Sequence, residues 1–335
     1  MNLNMATNQK IGVLGGGSWA TALMKILHEN LDQVNWYLRD HSNIEYLKEY
    51  HHNKNYISSI GFDTRKIHFY TDIHAMVRDS DILFFVIPAA FLKEALRSLQ
   101  EDLSEKIIVS AIKGIIPEDN AIVAEYFSNT FGVDLQRFVV ISGPCHAEEV
   151  ALERLSYLTV ASQDQQLARD VARILRTHYM QTNISDDIYG TEYAAILKNI
   201  FAIAAGICHG LGYGDNFLAV LISNGMQEIT RFVEAVHPIS RDLHQSVYLG
   251  DLLVTAYSQF SRNRTFGNMI GKGYSVRSAQ LEMNMIAEGY YATRSIMEIN
   301  KTYQADIPIC ETVYHILYEN ISPAIEVKLL SNRLK

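Results

Sequence analysis

The first half of the chain alternates short apolar runs with segments whose apolar residues recur at helical spacing. Most runs are apolar at consecutive positions, which suits a strand whose sheet is covered by helices on both faces. Strands that alternate with helices predict a parallel, doubly wound α/β sheet. The predicted strands are Ile11 to Leu14, Val34 to Leu38, Ile67 to Tyr70, Ile82 to Ile87, Ile107 to Ala111 and Val139 to Ile141.

After about Ser185 the strand pattern fades and long helical patterns replace it, as in the segment from Tyr193 to Ala205. The length of 335 residues also favours two domains, because most domains hold roughly 100 to 200 residues. We therefore predict an N-terminal α/β domain over residues 1–187 and an all-α domain over residues 188–335.

Net charge, cysteine spacing and the length of the apolar runs argue against several classes of protein. The formal net charge of −8 argues against nonspecific binding to nucleic acid or to anionic membrane, since both require a positive field. The 3 cysteines have no CxxC spacing and suggest neither a disulfide framework nor a zinc site. The N-terminus lacks the apolar segment of a signal peptide, and the longest apolar run is too short for a membrane span. We expect a cytoplasmic protein without a metal or an integral membrane segment.

A glycine-rich loop joins the first predicted strand to a helical pattern. Gly15 permits a tight turn, Gly17 lets the backbone approach a pyrophosphate, and Ala20 keeps the helix close to the strand. This context predicts a dinucleotide site, with a purely structural turn as the alternative. At the end of the second strand, Arg39 could pair with the 2'-phosphate of NADP, whereas Asp40 leaves NAD open. NADP is slightly favoured, and a solvent-facing arginine is the alternative.

One predicted helix carries a lysine among apolar neighbours. In the segment from Tyr193 to Ala205, Lys198 and Asn199 are the strongly polar residues. Lys198 shares its helix face with Ala194 and Phe201, so its ammonium would be poorly hydrated and its pKa lowered. Such a group suits a general acid that protonates a carbonyl oxygen as hydride arrives at carbon. A lysine that reaches solvent from the edge of a core helix is the alternative.

Further polar groups add to this chemistry. Lys113 directly follows a buried strand, at the end where α/β folds bind their ligands. Asp251 could orient a catalytic lysine by a charge-assisted bond, although Gly-Asp also commonly begins a helix. The segment Ser261 to Arg264 brings together two guanidinium groups and an amide, which suits a phosphate; an exposed basic turn is the alternative. His146 and Glu148 resemble the HxE of zinc deaminases, but no Pro-Cys-x-x-Cys follows, so we predict no metal.

Taken in order along nearly the full chain, these blocks resemble the bacterial type of NAD(P)-dependent glycerol-3-phosphate dehydrogenase. The resemblance implies a Rossmann-like N-terminal domain and an all-α C-terminal domain of the 6-phosphogluconate dehydrogenase C-terminal-like type. It also implies the reversible reduction of dihydroxyacetone phosphate to sn-glycerol 3-phosphate, which feeds glycerophospholipid synthesis. A homodimer is left open. The blocks are Gly15 to Trp19, Ile112 to Gly114, Ile141 to Pro144, Leu197 to Asn199, Gly210 to Asn216, Leu249 to Leu252, Ser261 to Arg264, Phe266 to Gly267 and Glu288 to Gly289.

The resemblance assigns roles to individual residues. Lys198 is the proton donor and acceptor, and Lys113 and Asp251 complete the catalytic group. The residues expected to bind substrate are Lys113, Gly143, Cys145, Lys198, Asn199, Asp251, Ser261, Arg262 and Asn263. The residues expected to bind the cofactor are Gly15, Gly17, Ser18, Trp19, Arg39, Lys113, Ala147, Arg262, Ile286 and Glu288.

The chain departs from the family pattern at several of these blocks. Cys145 replaces a hydroxyl residue, Glu148 replaces a lysine, Ala89 replaces a serine, and Val247 and Tyr248 also differ from the usual sequence. Because the catalytic and phosphate-binding residues are kept, we predict that activity is retained. A β-hydroxyacid dehydrogenase or ketopantoate reductase with the same two-domain plan is the enzyme alternative. A protein that senses NADP(H) without turnover is the non-enzymatic one.

Overall fold

The computed structural model describes residues 9–283 and 287–335, which form two compact units. The first unit contains the described residues up to Ile112 together with Val123–Ile188, and the second contains Lys113–Ile122 and Tyr189–Lys335. The short segment that begins at Lys113 therefore groups with the helical second unit. The domain boundary expected at residue 187 stays a prediction.

The first unit is built on a single eight-stranded sheet. Its strands in chain order are β1 Ile11–Leu14, β2 Val34–Tyr37, β3 Ile67–Tyr70, β4 Ile82–Phe85, β5 Ile107–Ser110, β6 Phe138–Ser142, β7 Ser156–Ala161 and β8 Met180–Ser185. The spatial order is β3-β2-β1-β4-β5-β6-β7-β8, and all neighbours pair in parallel except β6 with β7. The order reverses at β1, as in doubly wound nucleotide-binding folds. This confirms the predicted α/β class.

Two strands extend the sheet beyond the six that the apolar runs predict. β7 pairs with β6 and is buried along most of its length, whereas β8 forms the outer edge, where Ile184 is exposed. The side chains of β8 after Met180 are half-buried or exposed on both faces of the sheet, so this edge strand shows no continuous apolar run in the sequence. β4 ends at Phe85 rather than Ile87, because the chain turns at Pro88 into the next helix.

Helices cover this sheet, and the first of them follows the glycine loop directly. They are α1 Ser18–Asn30, α2 His41–Tyr50, α3 Ile73–Arg78, α4 Ala89–Leu96, α5 Val123–Phe131, α6 Ala147–Ala151 and α7 Gln165–Leu175. α1 buries Ala20, Leu23 and Leu27 in the core, and it packs against β1, α6 and α7. The small Ala20 has no exposed surface, which lets the helix lie close to the strand that precedes it.

The second unit is mainly helical, apart from its loops and the segment Lys113–Ile122, which holds an isolated antiparallel bridge between Ile116 and Ala121. Its helices are α8 Ile188–Gly210, α9 Asp215–Val236, α10 Asp251–Tyr257, α11 Arg262–Gly271, α12 Val276–Glu282, α13 Glu288–Tyr303, α14 Pro308–Tyr318 and α15 Pro323–Ser331. α8 is long and apolar enough to cross a membrane by length and composition, but 89% of its most apolar window is buried inside the structure. This burial is typical of the central helix of a folded domain, and the helical second half confirms the prediction.

α8 and α11 touch backbone to backbone within the second unit. An added Cβ at Gly206 would lie 2.1 Å from the carbonyl oxygen of Arg264, and one at Gly267 would lie 2.1 Å from that of Ile203. Gly210 and Gly271 make similarly close approaches one turn further along. Side chains larger than a hydrogen would separate the two helices. The contact therefore fixes α11, which begins at Arg262, against the helix that carries Lys198; we call these four glycines the glycine seam.

Candidate active site

A buried carboxylate holds two lysines together in the helical unit. Asp251 is 1% exposed at the start of α10, and its Oδ2 contacts the Nζ of Lys198. The same oxygen lies 3.5 Å from the Nζ of Lys113. Lys198 itself is 3% exposed, whereas the side chain of Lys113 is 21% exposed. The structure thus brings together the three residues that the sequence singled out for catalysis.

Burial changes the acidity of Lys198. Loss of hydration lowers the pKa of its ammonium to about 7, with the positive charge of Lys113 acting in the same direction. The negative charge of Asp251 opposes this by raising the pKa. A group with a pKa near neutrality both gives and accepts a proton at physiological pH, as general acid-base catalysis requires. The cluster can therefore move a proton to or from a bound carbonyl or alcohol.

Local structure fixes each member of the cluster. A π-helical turn over Ser246–Gly250 leads into α10 and sets the direction of Asp251. Such wide turns occur often at functional sites. Asn199, the neighbour of Lys198 on α8, donates from Nδ2 to the carbonyl oxygen of Lys113 at 2.9 Å. The amide expected to bind substrate is thus directed at the backbone of Lys113, and it fixes the segment of Lys113 against α8.

The N-terminus of α11 presents the arginine and the amide expected to bind phosphate. The Oγ of Ser261 accepts from the backbone N–H of Arg264 at 3.3 Å, so this serine caps the helix. The Oδ1 of Asn263 accepts from the backbone N–H of Gly289 at 2.9 Å, at the start of α13. This bond orients the amide so that its NH₂ end is the one that can donate to an anion. Arg262 is exposed beside it.

The glycine loop of the first unit has the geometry of an anion-binding turn. Gly15 adopts a φ of +136°, and a Cβ there would lie 2.3 Å from the carbonyl oxygen of Val86. At Gly17 an added Cβ would meet no atom within 4 Å, so the loop is open at this point. α1 has no acidic residue in its first turn, which suits an anion at its N-terminus. The Nε1 of Trp19 is buried without a hydrogen-bond partner among the described residues. These features fit the pyrophosphate of a dinucleotide.

Arg39 and Asp40 follow β2, and their side chains lie in different environments. Both carboxylate oxygens of Asp40 accept from Ser42, one from the backbone N–H and one from the hydroxyl, each at 2.9 Å. Asp40 therefore caps α2. Arg39 is exposed next to it and carries the positive charge at the end of this strand.

The other predicted residues of the first unit lie where β6 ends. Gly143 has a φ of +148°, and a Cβ there would lie 2.5 Å from the carbonyl oxygen of Tyr157. The thiol of Cys145 donates to that same oxygen at 3.1 Å, and Ala147 begins α6. Ile286 lies outside the described residues. Within residues 9–283 and 287–335, no group of three or more His, Cys, Asp or Glu side chains could hold a metal ion.

The sequence analysis missed buried polar side chains that hold the glycine loop from its inner side. The Nε1 of Trp36 donates to the carbonyl oxygen of Gly15 at 2.8 Å, and the Nδ2 of Asn53 donates to that of Gly16 at 3.1 Å. Trp36 lies in a strand and Asn53 in a loop, and neither is close to the glycines in sequence. A local motif could not have revealed them, because the contacts arise from tertiary packing.

Family models and relatives match the chain over nearly its full length. The models for the N-terminus and the C-terminus of NAD-dependent glycerol-3-phosphate dehydrogenase match residues 10–168 and 187–328. The NAD(P)+ glycerol-3-phosphate dehydrogenase of Streptococcus sanguinis strain SK36 is 33% identical over 333 residues, which cover 98% of this chain and 97% of the relative. That of Bacillus subtilis strain 168 is 34% identical over 322 residues, with 95% and 93% covered. The crystal structure of the Coxiella burnetii glycerol-3-phosphate dehydrogenase aligns with a TM-score of 0.88 at 28% identity and covers 96% of this chain and 98% of its own.

Proposed function

The chain belongs to the NAD-dependent glycerol-3-phosphate dehydrogenase family, and from that premise we propose that it catalyses the reversible reduction of dihydroxyacetone phosphate to sn-glycerol 3-phosphate. It is an NAD(P)-dependent oxidoreductase that acts on a CH–OH group. The observation that carries the proposal is Lys198, a buried lysine that contacts Asp251 and has a pKa lowered towards neutrality.

Lys198 moves the proton in the proposed reaction. A nicotinamide cofactor, when bound, would supply the hydride that the ketone carbon accepts. The ammonium of Lys198 donates a proton to the ketone oxygen, which becomes the hydroxyl of the product, and the neutral amine takes that proton back in the reverse direction. The positive charge of Lys113 favours release of this proton, because it lowers the pKa of Lys198. Asp251 holds both lysines in position.

The phosphate of the substrate binds at the N-terminus of α11 in this proposal. Arg262 offers parallel N–H donors that match two phosphate oxygens, and the NH₂ group of Asn263 adds a third donor. Ser261 supports this arrangement as the cap of the helix. Contact of substrate with Gly143 or Cys145, which both pack on the backbone of Tyr157, stays a prediction.

The loop from Gly15 to Trp19 is proposed to hold the pyrophosphate of the cofactor. NADPH is favoured slightly over NADH, since both oxygens of Asp40 are already engaged by Ser42 while Arg39 can meet a 2'-phosphate. Arg39→Leu should then weaken NADPH binding and leave NADH binding within about twofold, as measured by titration calorimetry. Cofactor contacts of Ala147, Ile286 and Glu288 stay predictions.

In the cell, the product would supply glycerophospholipid synthesis, and we expect this to take place in the cytoplasm. The homodimer left open by the sequence would appear as a doubled mass in light scattering after size-exclusion chromatography.

Turnover of the purified protein tests the proposed function. NADPH or NADH is mixed with the protein, and cofactor oxidation is followed with dihydroxyacetone phosphate, ketopantoate or small 2-keto acids. We expect rapid oxidation of the cofactor with dihydroxyacetone phosphate, and none with ketopantoate or the 2-keto acids. Lys198→Met, purified in the same way, controls for a host dehydrogenase carried through purification. Absence of turnover with the triose phosphate and both cofactors would contradict the proposal, and turnover of ketopantoate would support the alternative enzyme.

A further inference from the structure

Three successive carbonyl groups of the glycine loop are held by buried side chains. Each carbonyl oxygen accepts a hydrogen bond from a side chain that is itself buried in the first unit. The three bonds run from Trp36 Nε1 to Gly15 O at 2.8 Å, from Asn53 Nδ2 to Gly16 O at 3.1 Å, and from Thr21 Oγ1 to Gly17 O at 3.0 Å.

Asn53 is the centre of this network. It has no exposed surface, and its Nδ2 donates both to Gly16 O and to the Oγ1 of Thr21, the latter at 2.9 Å. Its Oδ1 accepts from the backbone N–H of Asn55 at 3.1 Å. All of these bonds require the same orientation of the amide. Asn53 thus holds Gly16 O directly, and it supports the hydroxyl of Thr21, which donates to Gly17 O beside the helical bond from the backbone N–H of Thr21 at 2.9 Å.

The direction of the carbonyls determines the direction of the amide hydrogens. In a planar trans peptide the C=O and the following N–H point in opposite directions. The carbonyls of Gly15 and Gly16 point towards the side chains that donate to them, and that of Gly17 points along α1 towards the N–H of Thr21. The N–H groups of Gly16, Gly17 and Ser18 therefore point away from these partners. The loop is open at Gly17, where an added Cβ would meet no atom within 4 Å. Backbone N–H groups gathered at the start of a helix in this way bind anions.

We propose that Asn53 is a positioning residue for the cofactor, which fixes the glycine loop so that its N–H groups meet the pyrophosphate. This inference rests on the proposed function, because it requires a dinucleotide at the loop. Glycine has wide conformational freedom, so a run of three glycines does not hold one peptide orientation unaided. Without Asn53, cofactor binding would have to order the loop, and affinity would fall.

Neutral, nearly isosteric variants test the role of Asn53 without adding charge beside an anion. Asn53→Leu removes all of the amide bonds. Thr21→Val keeps the shape of Thr21 and removes the hydroxyl link, and Thr21→Ser restores that hydroxyl. Asn35→Leu is the matched control, because Asn35 is also buried and its Nδ2 donates to a carbonyl, that of Asp79 at 3.1 Å, and to a hydroxyl, that of Ser80 at 2.9 Å.

The dissociation constant of NADPH, measured by titration calorimetry, is the main readout. We expect Asn53→Leu to weaken NADPH binding about tenfold or more, which corresponds to roughly 1.4 kcal/mol. Thr21→Val keeps the helical bond from its N–H to Gly17 O and should weaken binding less, but by more than about twofold. The KM for NADPH should rise in parallel, while kcat at saturating NADPH and the KM for dihydroxyacetone phosphate stay within about twofold. Thr21→Ser and Asn35→Leu should bind NADPH within about twofold of the parent, whatever their melting temperatures. If Asn53→Leu does not fold, the Thr21 pair decides the question.

NADPH affinity at the parental level in folded Asn53→Leu and Thr21→Val would overturn the inference, and so would an equal loss of affinity in Asn35→Leu. A parent protein that binds NADPH without reducing dihydroxyacetone phosphate would refute the proposed function, and the binding data would still decide the role of Asn53. A parent that binds neither NADPH nor NADH would refute both.

Discussion

The two units build their sites from different chemical groups. In the first unit, the glycine loop offers backbone N–H groups whose direction is set by the neutral side chains of Trp36, Asn53 and Thr21. In the helical unit, Lys198, Lys113 and Asp251 gather three ionisable groups around one buried carboxylate. The contrast reflects two tasks. Fixed backbone dipoles can hold an anion without titrating, whereas moving a proton requires a group whose charge changes near neutral pH.

The largest effect is expected from Lys198→Met, which removes the proposed proton donor and changes no residue of the first unit. We expect kcat to fall by roughly 10²- to 10⁴-fold, the usual range for a lost general acid. Steady-state rates with dihydroxyacetone phosphate and saturating NADPH measure this loss. Lys272→Met is the control, because it removes an exposed lysine of the same unit and should keep parental activity. A Lys198→Met enzyme as fast as the parent would mean that another group donates the proton.

Asp251→Asn should have a smaller effect on rate and a distinct effect on pH dependence. Loss of a charged hydrogen bond costs about 1.5 to 3 kcal/mol, so we expect kcat to fall roughly 10- to 100-fold. The charge of Asp251 raises the pKa of Lys198, so the neutral amide lowers that pKa further. Ketone reduction needs the ammonium, and its rate therefore falls as pH rises through this pKa.

In Asp251→Asn that fall should move to lower pH. Alcohol oxidation needs the neutral amine, so its rate rises with pH, and this rise should also move to lower pH. Profiles of kcat against pH in both directions measure the shift. A shift to higher pH would contradict the assigned role of Asp251.

Substitution of a glycine in the glycine seam should lower the stability of the helical unit. Gly206→Ala places a methyl group 2.1 Å from the carbonyl oxygen of Arg264, and overpacking of this kind costs about 1 to 3 kcal/mol. Gly214→Ala is the matched control in the same unit, because its Cβ would meet no atom within 4 Å. Urea unfolding of the two variants measures the difference. Equal stabilities would show that the two helices can separate without cost.

The smallest effect concerns a second buried acid of the helical unit, Glu228. Its oxygens accept from the backbone N–H groups of Ile309 and Cys310 at the start of α14, and burial raises its pKa to about 8. Between pH 4.5 and 8 the folded chain therefore holds a proton that the unfolded chain has lost, so stability falls as pH rises across this window. Glu228→Gln removes this titration.

We expect the melting temperature of Glu228→Gln to fall less than that of the parent between about pH 5 and pH 8, a window set by the raised pKa. Thermal unfolding followed by circular dichroism at several pH values measures the two slopes. Parallel slopes would contradict this account of Glu228.

The sequence alone predicted the features that depend on residues close together in the chain. Consecutive apolar residues marked six strands, the glycines marked the turn into α1, and helical spacing placed Lys198 among apolar neighbours. β8 was not predicted because most of its side chains are half-buried or exposed, which leaves the strand without an apolar run. Two further contacts join distant parts of the sequence: the ion pair of Lys113 with Asp251, and the hydrogen bond from Asn53 to Gly16. Such contacts depend on tertiary packing, which no local pattern records.

The dissociation constant of NADPH, measured side by side for Lys198→Met and Asn53→Leu, tests most directly whether the two units divide the work. The account predicts that Lys198→Met binds NADPH within about threefold of the parent although it no longer turns over, and that Asn53→Leu binds about tenfold more weakly, which corresponds to roughly 1.4 kcal/mol. Equal affinities in the two variants, or a loss confined to Lys198→Met, would contradict it.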